Sequence, residues 1–204
     1  MKLSVSIIIV FLLSSYMSAQ TEECNCGVTK GTKHPRQEIK DRSIPSSLNS
    51  AQSTTINEMI SWDVPKNPKL KGKQTDPKEN SLYTLTGIAR LIKIDPEDCD
   101  FQIEVSADNQ NMGNRIIAEI PNTKEYCSLR EKLLKDLKDK DNITINGKST
   151  ILKGGVAIKL TGFAFWDASF YTNKAAALQQ GKGHGSKDVK TLWEIHPVVN
   201  VELQ

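Results

Sequence analysis

Beyond residue 19 the sequence has no apolar run of the roughly 20 residues that a bilayer span takes, so no membrane span is expected after the first segment. It also lacks a charge surplus: of 27 basic residues only Lys2 falls in that segment, leaving 26 against 24 acidic ones. So even a balance points neither to a phosphate-backbone binder nor to an acidic, solvating chain. A serine nucleophile elbow is missing, because Gly183-His184-Gly185-Ser186 does not follow a strand and open a helix. Arginines are few in the folded part, and Arg90, Arg115 and Arg130 show no pairing with carboxylates that would suit a calcium-dependent nuclease. Large apolar groups are scarce from Thr21 to about Asn80, which excludes a separate core there.

What is present starts with an address. Lys2, the apolar run Val5 to Leu13 and small residues up to Ala19 follow the order of a secretory signal, so residues 1–19 are expected to be removed and the protein to be secreted or periplasmic. Four cysteines in an exported chain allow three pairings. A bridge between Cys99 and Cys127 is the expected one, since it closes a loop of about 28 residues and would contribute about 3 to 4 kcal/mol in the chain-entropy model. Cys24 and Cys26 could instead form a local bridge, bind a metal or cross-link to another molecule; a metal site there lacks a second pair of ligands.

Residues 20–80 read as an irregular polar leader, partly disordered or wrapped round the rest. Ile56, Met59, Ile60 and Trp62 mark an anchoring segment at 56–64, and the Lys- and Pro-rich run 66–78 resists both helix and central strand. The domain is expected over residues 81–204. Leu82 to Ile94 is β-like, with a bulge expected at Gly87; Phe101, Ile103 and Val105 alternate with polar residues; Arg115 to Ile120 ends at Pro121. A helix follows from Asn122, capped reciprocally by Glu125, to about Lys140, with Tyr126, Leu129, Leu133, Leu134 and Leu137 on one face. A fourth strand, Val156 to Phe165, comes after Gly154-Gly155, and a fifth alternates from Trp193 to Leu203. The order β-β-β-α-β-β predicts a mainly β, OB-like five-stranded barrel with one helix.

Five stretches of the chain carry a resemblance: Asp98-Cys99-Asp100-Phe101, Ile117-Ala118-Glu119-Ile120-Pro121, Thr161 to Asp167, Gly183-His184-Gly185-Ser186 and Trp193-Glu194-Ile195-His196-Pro197-Val198. Over residues 62–204 the sequence resembles a family of largely uncharacterised, secreted bacterial proteins. The resemblance implies an exported barrel and no established reaction. Relatives carry histidines where this chain has Gln102 and at about Phe170, so a metal site of theirs would lack two ligands here.

Asp100, Glu119, Asp167, His184, Glu194 and His196 are the polar residues within those stretches. Glu194 and His196 stand two apart on the last strand, so both are expected on its polar face, turned to water or to a ligand. The reading that follows is a noncatalytic module for an extracellular or envelope ligand, a glycan, peptide or oligonucleotide, held by the strand face and the 167–191 connection. Trp166, Phe170, Tyr171, His184, Glu194 and His196 are its candidate contacts, and no cofactor is expected. Near-neutral charge gives nucleic acid the least support among these ligands. The alternative is a metal-dependent hydrolase or phosphodiesterase that uses Asp167, Glu194 and His196 with a divalent cation.

Overall fold

Residues 34–96, 98–110, 112–145, 149–172 and 185–204 are described by the computed structural model. The signal segment, Cys24, Cys26, the Asn146-Gly147 turn, the Ala-rich piece at 175–180 and His184 lie outside them. Among the described residues no helix is long and apolar enough to cross a membrane.

Five long strands close on themselves. They are β2 (Leu82–Ile94), β3 (Phe101–Ser106), β4 (Arg115–Ile120), β5 (Thr150–Trp166) and β6 (Val189–Leu203), with a two-residue β1 (Gln52–Ser53) added parallel to the start of β2. The sheet runs β1-β2-β3-β4-β6-β5, and β5 returns to pair with β2. Only β4 and β6 are parallel within the barrel; the other neighbours are antiparallel. This is the OB-like barrel that the element order predicts, with α3 (Cys127–Asp141) between the third and fourth barrel strands. Closure leaves no long edge for another chain to pair with.

One apolar core fills the space between the strands and the helix. Leu85, Ile92, Phe101, Ile103, Ile116, Ile120, Leu133, Leu137, Trp193 and Ile195 all belong to it. The alternation read in the sequence is kept, since Phe101, Ile103 and Val105 point into this core while Gln102, Glu104 and Ser106 point away.

Strand bending departs from the expected place. The β2 register shifts between Ala89 and Leu91, not at Gly87. Opposite that shift lie Gly154 and Gly155, both left-handed at φ 80° and 76°, inside a β5 that starts at Thr150 rather than Val156. Arg90 sits in the bend and is buried. Its guanidinium donates to Ser106 Oγ at 2.8 Å, Asp108 O at 2.8 Å and Asn109 Oδ1 at 2.7 Å, which pins β2 to the β3–β4 hairpin. Gly87 is required for a different reason: a Cβ there would lie 2.7 Å from Ser106 O and 2.5 Å from Ile56 Cδ1. Gly87→Ala is therefore expected to cost about 1–3 kcal/mol, read as a lower melting midpoint. Gly72→Ala serves as the comparison, since its added Cβ meets nothing within 4 Å and only the positive φ of 55° opposes it.

The helix start also differs. A 3-10 turn, Lys124–Tyr126, precedes α3, and no side chain caps the helix. Asn122 instead gives its backbone N–H to Asp100 Oδ1 at 2.7 Å, and Glu125 accepts the backbone N–H of Ile44 at 2.7 Å. The Glu125 carboxylate and the Asn122 backbone N–H, which a reciprocal cap would join, are thus engaged with distant segments, and the Asn122 side-chain oxygen is buried without a hydrogen bond. Asn142 ends the helix in the left-handed conformation at φ 52°.

The leader is folded onto the barrel from residue 34 onward. Its α1 (Gln37–Lys40) is a single turn, and α2 (Ile56–Ser61) begins at a Thr55/Glu58 capping box. Ile56 and Met59 are fully buried, which stabilises the attachment by about 2 kcal/mol per side chain. Trp62 packs on Tyr83 and Trp193 at ring distances of 5.1 and 5.5 Å. Cys99 and Cys127 are both disulfide-bonded, yet no bond joining the two to each other is found among the described residues.

Candidate functional site

The polar face of β3, β4 and β6, turned away from the apolar core, is where the sequence places a ligand. Register sets it out in rows: Gln102 beside Glu119, and Glu104 beside Ile117 beside Glu194. This face is closed. Glu194 and His196 are 1% and 0% exposed, and Gln102, Glu104 and Asp100 are buried with them. The expectation that Glu194 and His196 face water is thus corrected, because two segments cover the strands. Ser186 gives its backbone N–H and its hydroxyl to Glu104 at 2.7 and 2.6 Å, and Arg115 donates to the same carboxylate at 2.9 Å. From the other side, α1 lays Lys40 across the strand ends.

Lys40, Asp100, Glu119, Glu194 and His196 form one buried ionic cluster, with Asp98, whose side chain is 28% exposed, at its rim. Lys40 Nζ lies 3.0 Å from Asp98 Oδ2, 3.7 Å from Asp100 Oδ2 and 3.6 Å from Glu119 Oε2. His196 Nδ1 is 2.9 Å from Glu119 Oε2 and 3.1 Å from Glu194 Oε1, while Nε2 is 3.4 Å from Asp100 Oδ2. Burial by itself would depress the Lys40 ammonium, but Glu119, Asp100, Asp98 and Glu194 outweigh it and hold the pKa above the ordinary lysine value. Burial and the Lys40 charge also oppose a proton on His196; Glu119 and Asp100 prevail and raise its pKa well above the usual imidazole value. Desolvation raises the Asp100 carboxyl, with His196 working against it.

Arg36 anchors the cover. Its guanidinium is buried and reaches both oxygens of Glu79 at 2.9 Å, Trp166 O at 2.8 Å and Gln74 O at 2.7 Å. Glu79 in turn accepts the backbone N–H groups of Trp166 at 2.9 Å and Asp76 at 2.7 Å.

The structure does not gather Asp167, Glu194 and His196 around one point. Glu194 and His196 touch, whereas Asp167 accepts the backbone N–H of Ser169 at 3.0 Å and stands 3.5 Å from His34 Nε2. Phe165 lies between these two groups, with its ring 5.9 Å from His34 and 5.6 Å from His196. Each barrel arginine is also used structurally: Arg90 and Arg115 as above, and Arg130 over the Phe101 ring at 3.8 Å.

An open site exists elsewhere. Where β5 ends, a groove of about 370 Å³ runs between the leader and the start of the next connection, and Lys69, Lys71, His34, Ser169 and Tyr171 line it. Trp166 forms its support rather than its surface: it is 1% exposed and donates Nε1–H to Pro68 O at 2.9 Å, with the Tyr171 ring tilted against it at 6.0 Å. Phe170 is 38% exposed beside it.

Tyr171 and Phe170 were legible as aromatics in a connection. Lys40, Arg36, His34 and the groove lysines were not, because they lie in a leader without periodicity, where only the Thr55/Glu58 and Asp76/Glu79 spacings carry a structural signal.

No protein-family model matches the sequence, and no curated protein matches it. Among solved structures, the Entamoeba histolytica asparaginyl-tRNA synthetase in complex with asparaginyl-adenylate is similar to it at 12% identity and a TM-score of 0.36. That match covers 75% of this chain, which spans 23% of the synthetase chain.

Proposed function

We propose that this protein is an exported, noncatalytic binding module of the secreted bacterial kind its motifs resemble, and that its ligand lies in the groove bordered by Lys69, Lys71, Ser169 and Tyr171. The observation that carries this reading is the contrast between two sites. The carboxylate–histidine cluster is sealed from water, with His196 at 0% exposure, while the groove is open and offers a ring face, a hydroxyl and cationic side chains. A hydrolase needs its acid and base within reach of substrate and water. A binding module needs an accessible cleft with a few polar groups to orient the ligand.

The lysines favour an anionic ligand, and the tyrosine favours one with flat or ring-shaped faces. An acidic oligosaccharide meets both demands; a short oligonucleotide meets them as well, stacking a base in place of a sugar. Export places such a ligand in the envelope or outside the cell.

The test is an array of acidic and neutral glycans, peptides and single-stranded oligonucleotides, read with the purified protein and two variants. Acidic glycans are expected to be retained, and Tyr171→Ala and Lys71→Ala to weaken that binding about tenfold each, as loss of a stacking face or a charge-assisted contact implies. Binding untouched by both substitutions would place the ligand elsewhere. Turnover of an ester or phosphodiester that survives Tyr171→Ala and dies with His196→Ala would replace this reading by the hydrolase.

A further inference from the structure

Cys99 and Cys127 each carry a disulfide bond, and both belong to the described residues. A bond joining the two would lie wholly within those residues, and none is found there. The chain has four cysteines. Cys24 and Cys26 are the two that remain, one for each.

A second, independent observation is the path of the leader over the segments that carry these sulfurs. Cys99 is fully buried in the turn from β2 to β3, and Cys127 opens α3. Asp100 accepts the backbone N–H of Asn122 at 2.7 Å, so the two segments meet at one end of the barrel. Residues 40–44 pass over that end. Lys40 reaches Asp98, beside Cys99, at 3.0 Å. The backbone N–H of Ile44 reaches Glu125 at 2.7 Å, and the carbonyl of Arg42 accepts the hydroxyl of Tyr126, beside Cys127. Cys26 stands 14 residues before Lys40, up to about 50 Å of extended chain, so reach is no obstacle. A Cys-x-Cys pair also suits two neighbouring segments. Its Cα atoms stand about 6–7 Å apart when extended, and a disulfide joins Cα atoms roughly 4.4–6.8 Å apart.

We propose that Cys24 and Cys26 form a double disulfide clasp with Cys99 and Cys127, tying the leader across this end of the barrel. Whichever sulfur takes which, each bridge closes a loop of more than 70 residues, and cross-links over long loops restrict the unfolded chain most. The clasp holds a segment with two duties. Lys40 seals the polar strand face, and His34, Pro35 and Arg36 line the open groove. Reduction by a dithiol loosens both together. Each bridge then takes up two electrons and two protons to give two cysteine thiols, while the dithiol gives them up and closes to its own disulfide. Export to an oxidising compartment keeps the clasp shut.

The experiment maps the bridges in the full mature protein, alkylated and then digested with trypsin without reduction. Cleavage after lysine and arginine isolates Cys24 and Cys26 on residues 20–30, Cys99 on 94–115 and Cys127 on 125–130. The expected product is one species of all three peptides, which either way of pairing gives. Peptides 94–115 and 125–130 joined to each other without 20–30 would overturn the proposal. The melt gives a second reading. Cys24→Ser with Cys26→Ser should lower the melting midpoint by about 10 °C or more. Dithiothreitol should lower the wild-type midpoint as far and hasten proteolysis of the leader. A double variant that melts like the wild type would show that these two cysteines do not hold the barrel, and would also overturn it. If the double variant does not fold, the wild-type map decides.

Discussion

Replacing Glu79 by alanine will lower the folding stability by about 3–5 kcal/mol, the cost of stranding one half of a buried ion pair. Both partners are within 1% of full burial, and Arg36 holds both oxygens of Glu79 at 2.9 Å. The same carboxylate accepts two backbone N–H groups, from Trp166 and Asp76, which lose their partner at once. At about 2–4 °C per kcal/mol for a domain of this size, the melting midpoint should fall by about 10 °C or more. The exposed pair between Lys73 and Glu38, at 80% and 69% exposure, is the contrast: Lys73→Ala should leave the melt unchanged. A double variant, Arg36→Met with Glu79→Leu, should recover much of the loss, since it removes the stranded charge along with its partner. If Glu79→Ala melts like the wild type, the leader is not held by this pair.

The second large effect is expected at Lys40. Lys40→Met should cost about 3 kcal/mol or more, because Asp100 and Glu119, with Asp98 beside them at the rim, then share a buried place without the ammonium that faces them. Limited proteolysis should cut the leader of this variant sooner than that of the wild type, since α1 carries Lys40 and its release uncovers the strand face. Equal stability and equal protease resistance would show that α1 is held by Arg36 alone.

The binding reading follows from this closure. The face of the third and second barrel strands that OB-like proteins commonly use for ligands is here filled by the protein's own residues, with Ser186 on Glu104 and Lys40 on the acidic cluster. The groove at the end of β5 is accessible, built mostly from the leader with Ala168, Ser169 and Tyr171 from the turn that follows β5.

The fold was largely legible because each barrel strand alternates at period two and the helix at its own period, and neither signal needs a distant partner. Phe101, Ile103 and Val105 illustrate it: their spacing defines a face, and the core occupies that face. The bend lies at Arg90, three residues beyond the glycine that signals it in the sequence. A lone glycine in a strand signals either a bulge or a close approach, and at Gly87 the neighbours Ile56 and Ser106 decide for the second. The reciprocal cap is absent for a similar reason, since the Asn122 backbone N–H goes to Asp100 and the Glu125 carboxylate to Ile44, both outside the helix.

By itself the sequence determined the succession of strands along the chain, the long helix between the third and fourth barrel strands and the polarity of each strand face, all of which rest on interactions between residues close in the chain. Tertiary structure decided that the polar face would be closed. Alternation shows that Glu194 and His196 share a face unlike the other, and it carries no information on what covers that face; the cover comes from Lys40, more than 150 residues earlier, and is held by the Arg36–Glu79 pair. Burial is a property of the assembled chain, so only the fold could turn two strand residues from a presumed surface into a sealed ionic cluster and move the open site to the groove beside Tyr171.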